Sequence, residues 1–67
     1  MNYEALGLRV RSARLEIGIT QEQLAEKVGI STSFMGHIER GTRTLSVDTL
    51  FKLCVALNVS ADYLMGI

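Results

Sequence analysis

The sequence predicts an all-α fold of five short helices, and three observations lead to this prediction. None of its 67 residues is proline, and 48% of them are apolar. The apolar residues recur at intervals of three and four, as expected of helices that pack on a common core. A hydroxyl residue preceded by an apolar residue occurs at Thr20, Ser31, Ser46 and Ser60, and this pair is typical of a helix start.

The first helix is expected from about Tyr3 to Ile17, and Gly18 is expected to end it. Its apolar stripe consists of Leu6, Val10, Ala13 and Ile17. These spacings place the four side chains on one face, which predicts that all four point into the core.

The second and third helices are short and lie close together in the sequence. Thr20 and Gln23 form a predicted capping box, and Gly29 supplies a turn before the next cap at Ser31. The inward side chains of the two helices are predicted to be Leu24, Ala25, Val28, Met35 and Ile38. Two helices joined by a turn of this length are typical of a helix-turn-helix motif.

The same start signal predicts the last two helices. The fourth is expected from Val47 to about Leu57 and the fifth from Ala61 to Met65, with Leu50, Leu53, Cys54 and Leu57 inward. Four apolar residues fit none of these stripes: Leu8, Leu15, Phe51 and Val55. They either form a partner surface or are the scattered exposed apolar residues that many proteins carry.

Length and composition exclude several classes of protein. A chain of 67 residues predicts one domain over residues 1–67, which buries only about 60% of the surface that its unfolded form exposes. Cys54 is the only cysteine, so no internal disulfide is possible, and no Cys/His cluster suggests a metal or a cofactor. No apolar run approaches the roughly 18 residues that span a bilayer, and no signal sequence is evident. We therefore expect a cytoplasmic protein without a metal, cofactor or membrane partner.

Charge is balanced in total but uneven along the chain. Seven basic and seven acidic residues cancel, which argues mildly against a nucleic-acid partner. The first 14 residues, however, contain three arginines and one glutamate, and Arg40 and Arg43 follow the third helix. The N-terminal half is therefore expected to present a positive face.

One set of residues occurs in the order and at the spacings of a known family. It comprises Arg14, Thr20-Gln21-Glu22-Gln23-Leu24-Ala25, Gly29-Ile30-Ser31, Ile38-Glu39-Arg40-Gly41, and the closing segment from Thr49-Leu50 to Leu57-Asn58-Val59. In these residues the chain resembles the phage-repressor (Cro/C1-type, XRE-family) helix-turn-helix transcriptional regulators. The resemblance extends from Leu6 to Leu64 and implies a compact five-helix, lambda-repressor-like DNA-binding domain. Helices 2 and 3 would form the motif, with double-stranded DNA as the partner.

The resemblance also implies roles for individual residues. The positions that read bases in the family correspond to Thr32, Ser33 and His37, at the start of a helix that enters the major groove. Contacts to the DNA backbone are expected from the start of the second helix, from the first helix and from the loop after the third: Gln21, Arg11, Arg40, Thr42, Arg43 and Thr44. Arg14 and Glu39 match a partly buried structural ion pair.

Simpler interpretations of these residues remain open. Thr32 and Ser33 are also common at helix starts, and a lone surface histidine such as His37 is usually only solvated. Phe34 either covers the edge of the core or touches thymine methyl groups. Gly36 either permits close approach to the sugar-phosphate backbone or is merely tolerated, at a cost of about 1 kcal/mol relative to alanine. His37 is expected to favour guanine acceptors, although it lacks the two-pronged amide of glutamine.

Recognition of an operator is expected to require two copies of the chain, because one small domain reads too few base pairs. The predicted homodimer interface is the apolar C-terminal end: Ala61, Tyr63, Leu64, Met65 and Ile67. The resulting two-fold dimer would bind a pseudo-palindromic site as a regulator, with repression the commoner outcome in the family.

Enzymes and protein-interaction modules are the two other classes of function to which the sequence can be compared. An enzyme is not expected, because the sequence has no catalytic site, phosphate loop or nucleophile motif, and no small-molecule ligand is evident. A non-catalytic protein-interaction or antitoxin-like module that retains the fold is the alternative, with zero net charge in its favour.

Overall fold

Five α-helices make up most of the computed structural model, which describes all 67 residues. They are α1 (Tyr3–Glu16), α2 (Gln21–Val28), α3 (Thr32–Arg40), α4 (Val47–Leu57) and α5 (Ala61–Met65). The predicted all-α class and the five predicted helices are therefore confirmed. None of these helices combines the length and the apolar character that a membrane crossing requires.

The helix starts follow from side-chain caps, as the sequence predicts. Each hydroxyl oxygen accepts a hydrogen bond from a backbone N–H three residues later, at 3.0 Å for Thr20, Ser31 and Ser60 and 3.1 Å for Ser46. The Gln23 side chain completes the capping box by accepting from the backbone N–H of Thr20 at 2.9 Å. These bonds satisfy N–H groups that the first helical turn leaves without partners.

The start of α1 has a cap that the sequence analysis missed. The Asn2 side chain accepts a hydrogen bond from the backbone N–H of Ala5 at 3.0 Å. Asparagine is as good a cap as serine, so the residue type was the available signal. Asn2 follows Met1 but carries no hydroxyl group, so it does not fit the pattern of an apolar residue before a hydroxyl residue.

The end of α1 differs from the prediction. The helix ends at Glu16, and Ile17 is its C-cap, with its side chain 47% exposed. The prediction that Ile17 points into the core is therefore wrong. Ile17 keeps a right-handed conformation (φ −87°, ψ 0°) but is the last residue before Gly18, whose left-handed φ of 75° turns the chain away from the helix.

One core joins all five helices. Its 13 residues are Leu6, Val10, Ala13, Leu24, Ala25, Val28, Met35, Ile38, Leu50, Leu53, Cys54, Leu57 and Leu64. The apolar residues that precede the four hydroxyl caps, such as Ile19 and Ile30, are half-buried against this core. Leu8, Leu15, Phe51 and Val55 are exposed, which confirms that they lie outside the predicted stripes.

Helix α1 crosses α3 at very short distance because Gly7 has no side chain. A Cβ atom at Gly7 would lie 2.3 Å from the carbonyl oxygen of Ile38 and 2.6 Å from that of Glu39. Both obstacles are backbone atoms, so they cannot rotate away as side chains do. Gly7 therefore sets the separation of the helix that carries Arg14 from the helix that carries Glu39.

Candidate nucleic-acid interface

The turn between α2 and α3 holds the two helices at a fixed angle. Gly29 adopts a left-handed conformation with φ 80° and ψ 32°, which costs glycine little. The backbone N–H groups of Gly29 and Ile30 both donate to the carbonyl oxygen of Ala25, at 2.8 and 3.0 Å. These two hydrogen bonds end α2 at a fixed point, and the chain then continues to Ser31, the cap of α3.

Helix α3 has an apolar face in the core and a polar start at the surface. Met35 and Ile38 are almost fully buried, at 0% and 1% exposure. Thr32 and Ser33, in the first turn, are exposed, and neither side chain forms a hydrogen bond within the chain. The two hydroxyl groups are therefore free to bind a partner. Phe34 is half-buried and packs against the core, which favours the interpretation that it covers the core edge.

A buried ion pair joins α1 to the end of α3. The Arg14 Nε atom lies 2.6 Å from Glu39 Oε2, and Nη2 donates to Oε1 at 3.1 Å. The third guanidinium nitrogen, Nη1, donates to the carbonyl oxygen of Ile19 at 2.9 Å. The hydrogen bond to Glu39, aided by its charge, raises the pKa of Arg14 against the opposing effect of burial. The bidentate geometry is the strong form of an arginine–carboxylate contact.

Gln21 has a structural contact that the sequence analysis did not anticipate. Its side-chain nitrogen, Nε2, donates to Glu39 Oε1 at 3.0 Å. The same carboxylate therefore binds side chains from α1 and from α2. The amide of Gln21 keeps one N–H and its carbonyl oxygen free, and both lie at the first position of α2.

His37 lies against the loop that follows α3. Its Nδ1 atom is 2.8 Å from the hydroxyl oxygen of Thr42, and this hydroxyl also lies 3.3 Å from the carbonyl oxygen of His37. Nδ1 is therefore occupied within the chain. Nε2 is the ring nitrogen left for an external partner, so His37 offers one hydrogen-bonding atom where glutamine offers two.

Unpaired cationic side chains lie beside the ion pair. Arg11 and Arg40 line one cavity together with Gln21 and the Arg14–Glu39 pair, and neither Arg11 nor Arg40 forms an ion pair or a side-chain hydrogen bond. The other ion pair, between Lys52 and Asp48, lies on α4 and is exposed. Arg43 and Thr44 are also exposed, in the loop between α3 and α4. Exposed cationic side chains of this kind suit phosphate oxygens.

The C-terminal residues predicted to form a dimer interface differ in exposure. Tyr63 is 43% exposed and Ile67 is 85% exposed. Ala61 is exposed and Met65 is half-buried. Leu64 is fully buried in the core, so its predicted place on this surface is a correction: the side chain closes the core and is not available to a partner.

Two glycines contribute more to this surface than the sequence analysis recognised. Gly7 permits the crossing that brings Arg14 to Glu39, and Gly36 lies beneath the guanidinium of Arg40. In both cases the available signal was a glycine in a helix interior, where alanine is favoured. The pattern alone does not say which neighbour occupies the space.

The fold and the site define a helix-turn-helix domain: α2 and α3 are joined by a left-handed glycine, and α3 exposes its polar first turn. The HTH_3 helix-turn-helix family model matches residues 10–64. The chain therefore belongs to the helix-turn-helix family, of the XRE (Cro/C1) type that the sequence analysis indicated. The family match confirms the predicted family. It also agrees with the prediction of a non-enzyme, since the matched family is one of DNA-binding regulators.

A named relative agrees with this assignment. The chain is 44% identical over 62 residues to the HTH-type transcriptional regulator ImmR of Bacillus subtilis (strain 168), an alignment covering 92% of this chain and 49% of ImmR. The chain thus spans about half the length of that relative.

Solved structures also resemble the fold. The restriction-modification controller protein C.AhdI from Aeromonas hydrophila is similar with a TM-score of 0.88 and 35% identity, covering 92% of this chain and 94% of C.AhdI. The P22 c2 repressor, in complex with a synthetic operator, is similar with a TM-score of 0.84 and 34% identity, covering 88% of this chain and 89% of that one.

Proposed function

We propose that this chain is a sequence-specific DNA-binding transcriptional regulator that inserts α3 into the major groove. One observation carries the proposal: the first turn of α3 is polar and exposed at Thr32 and Ser33, while Met35 and Ile38 anchor the opposite face in the core. A helix anchored in this way presents base-reading groups without having to rearrange. The P22 c2 repressor, whose structure is with a synthetic operator, supports DNA as the ligand.

Base readout is assigned to Thr32, Ser33 and His37. The two hydroxyl groups can donate or accept, and His37 contributes Nε2 because Nδ1 is taken by Thr42. A single ring nitrogen discriminates less sharply between bases than a bidentate amide does. We therefore expect the strongest base preferences opposite the first turn of α3.

Affinity and register are assigned to contacts with the DNA backbone. The proposed donors are Gln21, Arg11, Arg40, Thr42, Arg43 and Thr44. The unpaired state of Arg11 and Arg40 supports this assignment, since such a cation breaks no internal ion pair when it binds a phosphate. The backbone N–H and the hydroxyl of Thr42 both bond to the carbonyl oxygen of His37, so a phosphate contact by Thr42 would replace one of these bonds.

Operator binding is proposed to involve a homodimer. Two recognition helices about 34 Å apart would read two half-sites of a pseudo-palindrome. The exposed apolar residues Tyr63 and Ile67, next to Ala61 and Met65, support a C-terminal interface. Light scattering checks it: Ile67→Asp should shift the chain to a monomer, whereas Phe51→Asp on exposed α4 should not. The reverse result would move the interface to α4.

The regulatory role follows from occupying the operator. A dimer bound across a promoter excludes other proteins from it, so repression is the proposed outcome. Bacterial and phage operators lie in the cytoplasm, and the chain is proposed to act there.

Selection of bound duplexes from a random DNA pool tests the function. We expect recovery of two inverted half-sites and binding that weakens steeply with salt, with a slope of about −0.9 for each phosphate contact on a logarithmic plot. Arg43→Ala should weaken all duplexes alike and reduce that slope by about 1. Ser33→Ala should instead change the base preference. Absence of binding to any duplex at low salt would refute the proposal.

The alternative is a protein-interaction or antitoxin-like module that retains the fold. Zero net charge and exposed apolar residues such as Val47, at 82% exposure, favour it. It predicts that a partner protein co-purifies with the chain in the absence of DNA affinity. Binding of an operator with the salt dependence given above would exclude it as the main function.

A further inference from the structure

We propose that Gly36 is a positioning residue for Arg40: the missing side chain lets the guanidinium lie along α3, in the orientation from which it binds one DNA phosphate. The inference rests on the proposed DNA-binding function. It assigns to Gly36 a role that neither core packing nor backbone conformation requires.

The geometry around Gly36 points directly at Arg40. A Cβ atom at position 36 would lie 3.0 Å from Arg40 Nη1, 3.6 Å from Nη2 and 3.7 Å from Cζ, and these are its three nearest neighbours. Gly36 is buried even though it lies between the exposed Ser33 and Arg40 on the helix. The space that a side chain would fill is therefore occupied by the guanidinium of the residue one turn later.

The two features that require glycine elsewhere in the chain, a positive φ and a close backbone, are not seen at Gly36. Gly36 does not have a positive φ, unlike Gly29 and Gly41. The three atoms nearest to a Cβ at this position all belong to the Arg40 side chain, whereas those nearest to a Cβ at Gly7 are backbone atoms of α3. Alanine is favoured over glycine in a helix interior, so folding alone would favour alanine here. The cost is explained if the orientation of Arg40 matters to binding.

Arg40 lies along α3 without a charged partner in the chain. The nearest carboxylate in sequence, Glu39, is committed to Arg14 and Gln21, and Arg40 has no ion pair of its own. All of its N–H groups are therefore free. It lines the same cavity as Arg11 and Gln21, together with the carboxylates of Glu4 and Glu39. A guanidinium displaced from α3 would keep its planar fork but direct it elsewhere, and a bidentate phosphate contact depends on that direction.

A double-mutant cycle tests the coupling between the two residues. The variants are Gly36→Ala, Arg40→Ala and the combination, each titrated with a duplex recovered from the random pool and with an unrelated duplex of equal length. Gly36→Leu is added as a variant that fills the space completely. Arg9→Ala is the matched control for charge, because the Arg9 guanidinium lies against Gly66 at the end of α5 and not against α3. Chemical unfolding of every variant accompanies the titrations.

We expect Arg40→Ala to weaken binding to both duplexes by about tenfold, and Arg9→Ala by much less. Gly36→Ala should weaken binding by about threefold and Gly36→Leu by close to tenfold, while Gly36→Ala unfolds no more easily than the wild type. In the Arg40→Ala background, Gly36→Ala should have no further effect. A role of Gly36 in stability alone would not produce this combination.

Three results would overturn the inference. If Gly36→Ala binds as tightly as the wild type while Arg40→Ala binds weakly, Gly36 does not position Arg40. If Gly36→Ala weakens binding equally in both backgrounds, Gly36 acts directly on DNA. If the wild type binds neither duplex, the proposed function itself fails and this inference fails with it.

Discussion

Substitution of Gly7 by alanine tests the helix crossing on which the whole site depends. The new Cβ atom would lie 2.3 Å from the Ile38 carbonyl oxygen and 2.6 Å from that of Glu39. These distances must increase beyond about 3.0 Å, so α1 and α3 must move apart as whole helices. The movement would strain the 2.6 Å contact between Arg14 and Glu39 and loosen the core around Leu6.

The magnitude follows from two opposing terms. Overpacking a close interface costs about 3 kcal/mol where neither side can rotate away, and replacing an interior glycine by alanine returns about 1 kcal/mol. The expected net loss is about 2 kcal/mol in the free energy of unfolding. A domain of this size has roughly 3–10 kcal/mol in total, and the midpoint of thermal unfolding should fall by about 8–16 °C.

Thermal and urea unfolding followed by far-UV circular dichroism measure this loss. Gly36→Ala is the matched control, because its methyl group meets only the end of the Arg40 side chain. The control should be as stable as the wild type or up to about 1 kcal/mol more stable. Equal stability of Gly7→Ala and the control would refute the reasoning, because it would mean that the two helices are not held at the distance described.

Three further predictions concern stability and reactivity. Glu39→Ala should cost about 3–5 kcal/mol, because it leaves a buried guanidinium without its partner, whereas Asp48→Ala, which breaks an exposed pair, should cost less than about 0.5 kcal/mol; equal losses in urea unfolding would contradict the buried pair. Burial raises the pKa of the Cys54 thiol, so the protonated form is favoured in the folded state. A thiol reagent at neutral pH should therefore label Cys54 far more slowly in the folded chain than in urea, and the stability that this burial contributes should be complete below the ordinary thiol pKa and decline as the pH rises through the raised value. Gly41→Ala should destabilise more than Gly18→Ala: both residues have a positive φ, but only at Gly41 would the Cβ meet backbone, 2.5 Å from a Cα atom of α1; thermal unfolding in the opposite order would disprove the clash.

Local rules predicted the helices well because local contacts form their ends. The capping hydrogen bond from the backbone N–H of Phe34 to the Ser31 hydroxyl joins residues three apart. Both partners therefore lie within one short stretch of sequence. The inward residues of α4, among them Leu50 and Leu57, followed from the spacing in the same way. The spacing rule failed for Ile17 because α1 ends at Glu16, just before the left-handed Gly18. Spacing alone does not show where a helix ends.

The site was predictable in its residue types but not in its internal bonds. The pairing of Gln21 with Glu39 spans 18 residues and depends on the angle between helices, which periodicity does not contain. The contact of His37 with Thr42 depends on the path of the loop. Leu64 shows the same limit: composition marks an apolar chain end, but only packing decides which of its side chains fills the core.

The carboxylate of Glu39 accepts from α1 and α2 and is itself part of α3. One buried group thus ties together the three helices that orient the motif, while Thr32 and Ser33 take no part in that bonding. The buried hydrogen bonds that orient the motif and the exposed first turn of α3 therefore involve different residues. Under the proposed function, mutations at the exposed positions would change the preferred DNA sequence without altering the scaffold, so a duplicated copy could acquire a new target through few substitutions. A change at Glu39 would instead disturb contacts with two other helices.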